Sequence, residues 1–191
     1  MYANSAFSGI LVWIVNRMNK SISASLFVAV CLLGEPALAS QTPKCEAELV
    51  KFTSGAKKGV MVYKYVATAL MSGTQSSLTA AIRCVWAVWP KRDGALVREL
   101  VANFLVLCLK NPEIFLSVAS DEANNIQSLI DELYLGFVAG DRGQQQHLEQ
   151  LRQSLTRKLL LIKEGVGGEV KSRNKDLLIA QLDSIRVQLI D

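Results

Sequence analysis

Three kinds of side chain in this sequence could do chemistry: four cysteines, one histidine and several adjacent carboxylates. Nucleophilic catalysis needs a nucleophile with a base within hydrogen-bond reach. The single histidine, His147, stands in a Gln-Gln-Gln-His-Leu-Glu run at the start of a helical pattern, where it reads as exposed and inert. With no second ligand at metal-binding spacing, a zinc site is not expected. Asp121 and Glu122 are sequence neighbours, as are Asp131 and Glu132. Neighbours on a helix point in different directions, so neither pair makes a general acid/base couple. Asp141-Arg142-Gly143 has the composition of a loop, and no Gly-rich turn follows a strand to cradle a phosphate. This inventory predicts a non-catalytic protein with no metal and no cofactor.

The cysteines say more once the start of the chain is read. From Met18 the sequence runs MNKSISASLFVAVCLLGEPALAS. Lys20 is a short basic start, Ile22 to Leu33 an apolar run, Gly34 and Pro36 a break, and Ala37-Leu38-Ala39 the small-x-small pattern of signal peptidase. An apolar run of this length falls short of the roughly 20 residues that span a bilayer, so secretion is preferred to a membrane anchor. Cys31 follows Val30 rather than a small residue, which argues against lipidation. Residues 1–39 are thus read as a leader, with the signal peptide at 18–39 and an upstream extension at 1–17. Cleavage is expected between Ala39 and Ser40.

Cys45, Cys84 and Cys108 survive cleavage, an odd number for an oxidising compartment. Their spacing excludes a CxxC redox site. If the helices around Cys84 and Cys108 form an antiparallel hairpin, the two residues are offset by about 15 Å along its axis. A disulfide needs Cα atoms within about 7 Å, so these two should not pair. Cys45 is the expected partner of one of them, with Cys45–Cys108 preferred and Cys45–Cys84 second.

The elements that must position these residues are helical. Ser76 to Ser120 organises the rest, because Val97, Leu100, Val101, Phe104, Leu107 and Cys108 recur at helical spacing. Polar Glu99, Asn103 and Lys110 keep to a narrow stripe, so this helix should be covered on most sides. Before it, Thr42 and Pro43 open a helix bearing Cys45, Leu49, Val50 and Phe52, and the chain breaks at Thr53-Ser54-Gly55. Lys57 to Met71 contains strand formers around Val60 to Val66. It is nevertheless read as helix, since no partner strand is visible and a lone strand would leave its backbone unpaired. A helix starting at Ser76 or Ser77 carries Leu78, Ile82, Val85 and Trp89 and stops at Pro90. Asp93-Gly94 opens the central helix, Asn111-Pro112 restarts the chain, and Asn124 to Gln127 has capping-box spacing. Ile126, Leu129, Ile130, Leu133 and Phe137 form the next apolar stripe. The last third is a helical hairpin: Leu148, Leu151, Leu155, Leu159 and Ile162, a bend at Gly165 to Gly168, then Leu178, Leu182, Ile185 and Leu189.

The predicted fold class is therefore all-α, with residues 40–191 as a single helical domain. It would be a compact multi-helix bundle or a short HEAT-like helical array with a C-terminal helical hairpin. The formal net charge of +4 falls, without Arg17, Lys20 and Glu35, to 19 basic against 16 acidic side chains. That balance argues against nucleic acid as a partner.

The leader ending Ala37-Leu38-Ala39, the early Cys45 and the run LVANFLVLCLKNPEIFLSVAS resemble small helical periplasmic immunity proteins, which neutralise cell-wall-degrading effectors of the type VI secretion system. That resemblance implies stoichiometric inhibition of a secreted hydrolase. The expected binding residues lie in loops, which can vary while packed faces cannot: Trp89 and Arg92 on one, Asp141 and Arg142 on another. Trp86 and Trp89 also read as core rings. A different class of function is a structural or chaperone-like envelope component that self-associates, as a homodimer, through the C-terminal hairpin.

Overall fold

The computed structural model describes residue 45, residues 55–121, 126–163 and 168–190. The leader at 1–39, most of the first helix after it, the Asn124 end of the capping box and most of the Gly165 to Gly168 bend lie outside these residues. The described residues all belong to one compact unit, Leu38–Asp191. Among them are seven α-helices: α1 Gly55–Ser72, α2 Gln75–Val88, α3 Gly94–Lys110, α4 Pro112–Ala119, α5 Ile126–Glu132, α6 Arg142–Leu160 and α7 Gly168–Ser184. Short 3₁₀ turns at Trp89–Lys91 and Leu133–Phe137 follow α2 and α5. The fold class is all-α, as the hydrophobic periodicity predicts.

Local chemistry explains where most helices begin. Asp93 caps α3 by accepting from the Leu96 N–H, and Asn111 caps α4 by accepting from the Ile114 N–H with Pro112 in the first turn. The α2 start lies slightly earlier than the serines suggest. Thr74 is the cap, its hydroxyl accepting from the Ser77 N–H, and Ser77 is itself buried in a hydroxyl cluster with Ser72 and Thr74. Pro90 ends α2 by tightening the chain into the 3₁₀ turn.

The centre is α3, which packs against α1, α2, α4, α5 and α6. In a HEAT-like array each pair would touch only its neighbours, so the bundle is the correct alternative. Leu100, Val101 and Leu107 have no exposed surface at all. Asn103 departs from the expected polar stripe: it is 4 % exposed, because the neighbours of α3 leave almost no side of it wet. Phe104 is the hub of an aromatic cluster, with centroids 4.6 Å from Trp86, 5.4 Å from Trp89 and 5.9 Å from Phe115. Those rings come from α2, the following turn and α4. Each such pair adds about 0.5–1.5 kcal/mol beyond area burial.

The C-terminal hairpin packs α6 against α7, and α7 also crosses α4 and α5. Its stripe of Leu148, Leu151, Leu155, Leu159, Leu178 and Leu182 is buried as expected. Leu189 is the exception. The chain leaves the helix after Ser184, and Leu189 lies in a two-residue strand, 38 % exposed. That strand, β2 (Gln188–Leu189), runs parallel to β1 (Val138–Ala139), and the Ile190 N–H donates to the Ala139 carbonyl. A partner strand does exist, then, though for Val138–Ala139 and not for the α1 segment, which is helical.

Candidate functional site

The three cysteines among the described residues each have a definite place. Cys45 and Cys84 are joined by a disulfide with Cα atoms 5.8 Å apart, and Cys108 is a buried free thiol. This corrects the preferred Cys45–Cys108 pairing and selects the second choice. The hairpin offset rules Cys84 and Cys108 apart, but it cannot say which of them faces the amino-terminal helix. Burial pushes the Cys108 thiol up to about 12, with the nearby Lys158 ammonium opposing it. It stays protonated and unreactive at neutral pH.

The first of the two expected binding loops has Trp89 buried and Arg92 half-buried, with Pro90, Lys91, Asp93 and Gly94 exposed. Trp89 is 2 % exposed and its indole N–H donates to the Ser128 hydroxyl at 3.2 Å. Arg92 lays its guanidinium over that ring, 4.2 Å from the centroid. It also donates to both carboxylate oxygens of Glu132, to the Ser128 hydroxyl and to the Trp89 carbonyl. The pair therefore clamps the turn after α2 onto α5. Trp89 takes the core place its ring also suggested, while Arg92 is half-buried with its donors turned to Ser128, Glu132 and the Trp89 carbonyl. Ser128 and Glu132 were not legible as their partners, since nothing in sequence marks contacts 36 to 40 residues apart.

The second loop is a surface. Asp141 caps α6, accepting from the Gln144 N–H at 2.8 Å, while the Gln144 carboxamide accepts from the Gly140 N–H at 2.9 Å. Asp141, Arg142 and His147 are all exposed. Arg142 borders a shallow, open groove of about 730 Å³ between the first half of α6 and residues 183–187. Gln146, Gln150 and Gln153 project from α6 on one side, with Asp183 and Arg186 on the other.

The groove's floor is pinned. Arg152 donates to both oxygens of Glu149 and, at 3.1 Å, to the Leu182 carbonyl, while Gln145 donates to the Val187 carbonyl at 3.2 Å. Hydrogen bonding from Arg152 holds the Glu149 carboxyl below the usual range, against a smaller opposing effect of burial. Sequence reasoning stopped at Arg142. The polar face Gln146, Glu149, Gln150, Gln153 has helical spacing that could have extended it.

Among the described residues no group of three His, Cys, Asp or Glu side chains is placed to hold a metal ion. No described helix is long and apolar enough to cross a membrane. Comparison with protein-family models, with characterised proteins and with solved structures finds no match for this chain.

Proposed function

We propose that this chain is a secreted, non-catalytic protein that binds and inhibits a protein partner, of the kind seen in effector–immunity pairs, in the periplasm. The observation that carries it is the groove beside Arg142: long polar side chains stand on a rigid helix whose start is capped and whose opposite wall is hydrogen-bonded in place. Such a surface matches hydrogen-bonding groups on another protein without needing to reorganise. It is too open to enclose a small substrate, whose binding sites bury most of the ligand. The Cys45–Cys84 disulfide is consistent with an oxidising compartment.

The test begins with the chain secreted from cells. Intact mass should place its first residue at Ser40; a chain still carrying Ile22 to Leu33 would contradict secretion by cleavage. Tagged secreted protein is then used to recover a partner, and the purified pair is reconstituted. A one-to-one complex that silences a hydrolase, and that weakens on Arg142→Glu or Gln150→Ala, supports the proposal. Turnover of a cell-wall or peptide substrate by this chain unaided overturns it. Concentration-dependent oligomers without such a partner would favour the self-associating envelope component.

A further inference from the structure

Strand β2 has one bare edge. It pairs in parallel with β1, Val138 beside Gln188 and Ala139 beside Leu189, and the Ile190 N–H donates to the Ala139 carbonyl at 2.9 Å. Backbone groups alternate in direction along a strand, so Gln188 and Ile190 turn theirs to β1, and Leu189 turns its N–H and carbonyl away. Among the described residues no third strand lies beside β2, and Leu189 and Ile190 are both exposed. Val187 differs, since its carbonyl accepts from Gln145 of α6. The open edge therefore starts two residues beyond the groove wall, about 7 Å at the strand rise.

The adjoining groove has unmatched charge of one sign. Arg152 serves both of its carboxylates, bonded to Glu149 and 3.8 Å from Asp183. Asp141 is engaged in capping α6. Arg142 on α6 and Arg186 on the opposite wall are exposed and make no ion pair among the described residues. A bare strand edge is complemented by another extended backbone, which brings a carbonyl to the Leu189 N–H and an N–H to its carbonyl. Resting on the reading above that this chain binds a protein, we propose that the partner adds an extended, acidic segment to β2. Its main chain bonds Leu189, and its carboxylates meet Arg142 and Arg186.

The test needs no identified partner. The folded chain, labelled for amide NMR, is titrated with a strand-forming heptapeptide that alternates valine with glutamate, and with its lysine-for-glutamate counterpart. The glutamate peptide should bind and slow exchange of the Leu189 amide, while the Ile190 amide, already bonded to Ala139, changes little. Leu189→Pro removes the outward N–H but no ladder bond, a change that a strand edge tolerates. It should weaken binding about fivefold, as one lost hydrogen bond does, and Arg186→Gln should weaken it about tenfold, as a lost bond between charged groups does. Circular dichroism checks that each variant is folded. N-methylation of every peptide amide should abolish binding, which tests the main-chain contact with the protein unaltered. Equal binding of the lysine or N-methylated peptide, unchanged binding by Leu189→Pro, or no binding of the glutamate peptide overturns the proposal. So does a dimer of the free chain that Leu189→Pro dissociates, since a second copy then occupies the edge. A hydrolase complex that Leu189→Pro leaves intact removes the strand addition alone. Peptide binding as expected, with no inhibited hydrolase recovered, supports the edge and removes only the inhibitor reading.

Discussion

Gly136 lies in the 3₁₀ turn that follows α5, against the middle of α3. It is not among the glycines at positive φ, so space rather than backbone conformation requires it. A Cβ there would lie 2.7 Å from Leu105 Cδ1 and 2.8 Å from Val101 Cγ1. Carbon atoms pack best at about 3.5–4.0 Å, so both neighbours would have to retreat by about 0.7 Å or more. Neither has room, since Leu105 is 4 % and Val101 0 % exposed. Overpacking of this kind costs about 1–3 kcal/mol. Against it stands a gain of up to about 1 kcal/mol, because alanine has fewer unfolded conformations than glycine. Gly136→Ala should therefore destabilise by about 1–2 kcal/mol, lowering Tm by about 2–4 °C for each. Urea titration followed by far-UV circular dichroism measures it. Val101→Ala, which removes one of the two clashes, should make the double variant less destabilised than the sum of the singles. A Gly136→Ala protein as stable as the parent, or strict additivity with Val101→Ala, would refute the close approach.

Non-reducing peptide mapping should recover Cys45 linked to Cys84; a Cys45–Cys108 peptide would contradict the structure. Closing a separation of 39 residues should contribute about 4 kcal/mol by loop entropy, so replacing both cysteines by serine should lower the urea midpoint markedly. Trp89→Ala should cost about 3–5 kcal/mol in the same assay, since it empties a place in the core, and Arg92→Ala should lower stability as well by releasing the turn from Ser128 and Glu132. Retained stability in either would return that loop to the surface. In the folded chain Cys108 should resist thiol reagents and react once denatured. Because its folded pKa is raised, the unfolded state loses the proton first, and stability should fall as pH rises above about 8.5. Cys108→Ala should flatten that alkaline limb, and an unchanged limb would assign it to other groups.

Much of the helical order was legible because its signals are local. Asp93 and Asn111 announce caps that need only the next three residues, and Pro90 and Pro112 act on their own backbone. The leucines from Leu148 to Leu159 reveal a buried face through spacing alone. The candidate surface was half legible: Asp141 and Arg142 carry turn chemistry beside a charged helix start, while the groove wall at 183–187 comes from chain more than 40 residues away.

Residue order alone is enough to show that the core is helical, that α3 is covered on most sides and that Cys84 and Cys108 do not pair. Each follows from periodicity or from helical rise, which depend on residue type and separation. Three-dimensional packing was needed to show that Cys84 takes Cys45, that Trp89 and Arg92 turn to Ser128 and Glu132, and that Leu189 ends in a strand beside Val138–Ala139. These depend on how elements are rotated about their own axes and brought together across long separations. A turn of about 100° per residue exchanges a core side chain for a surface one while leaving the hydrophobic pattern almost unchanged.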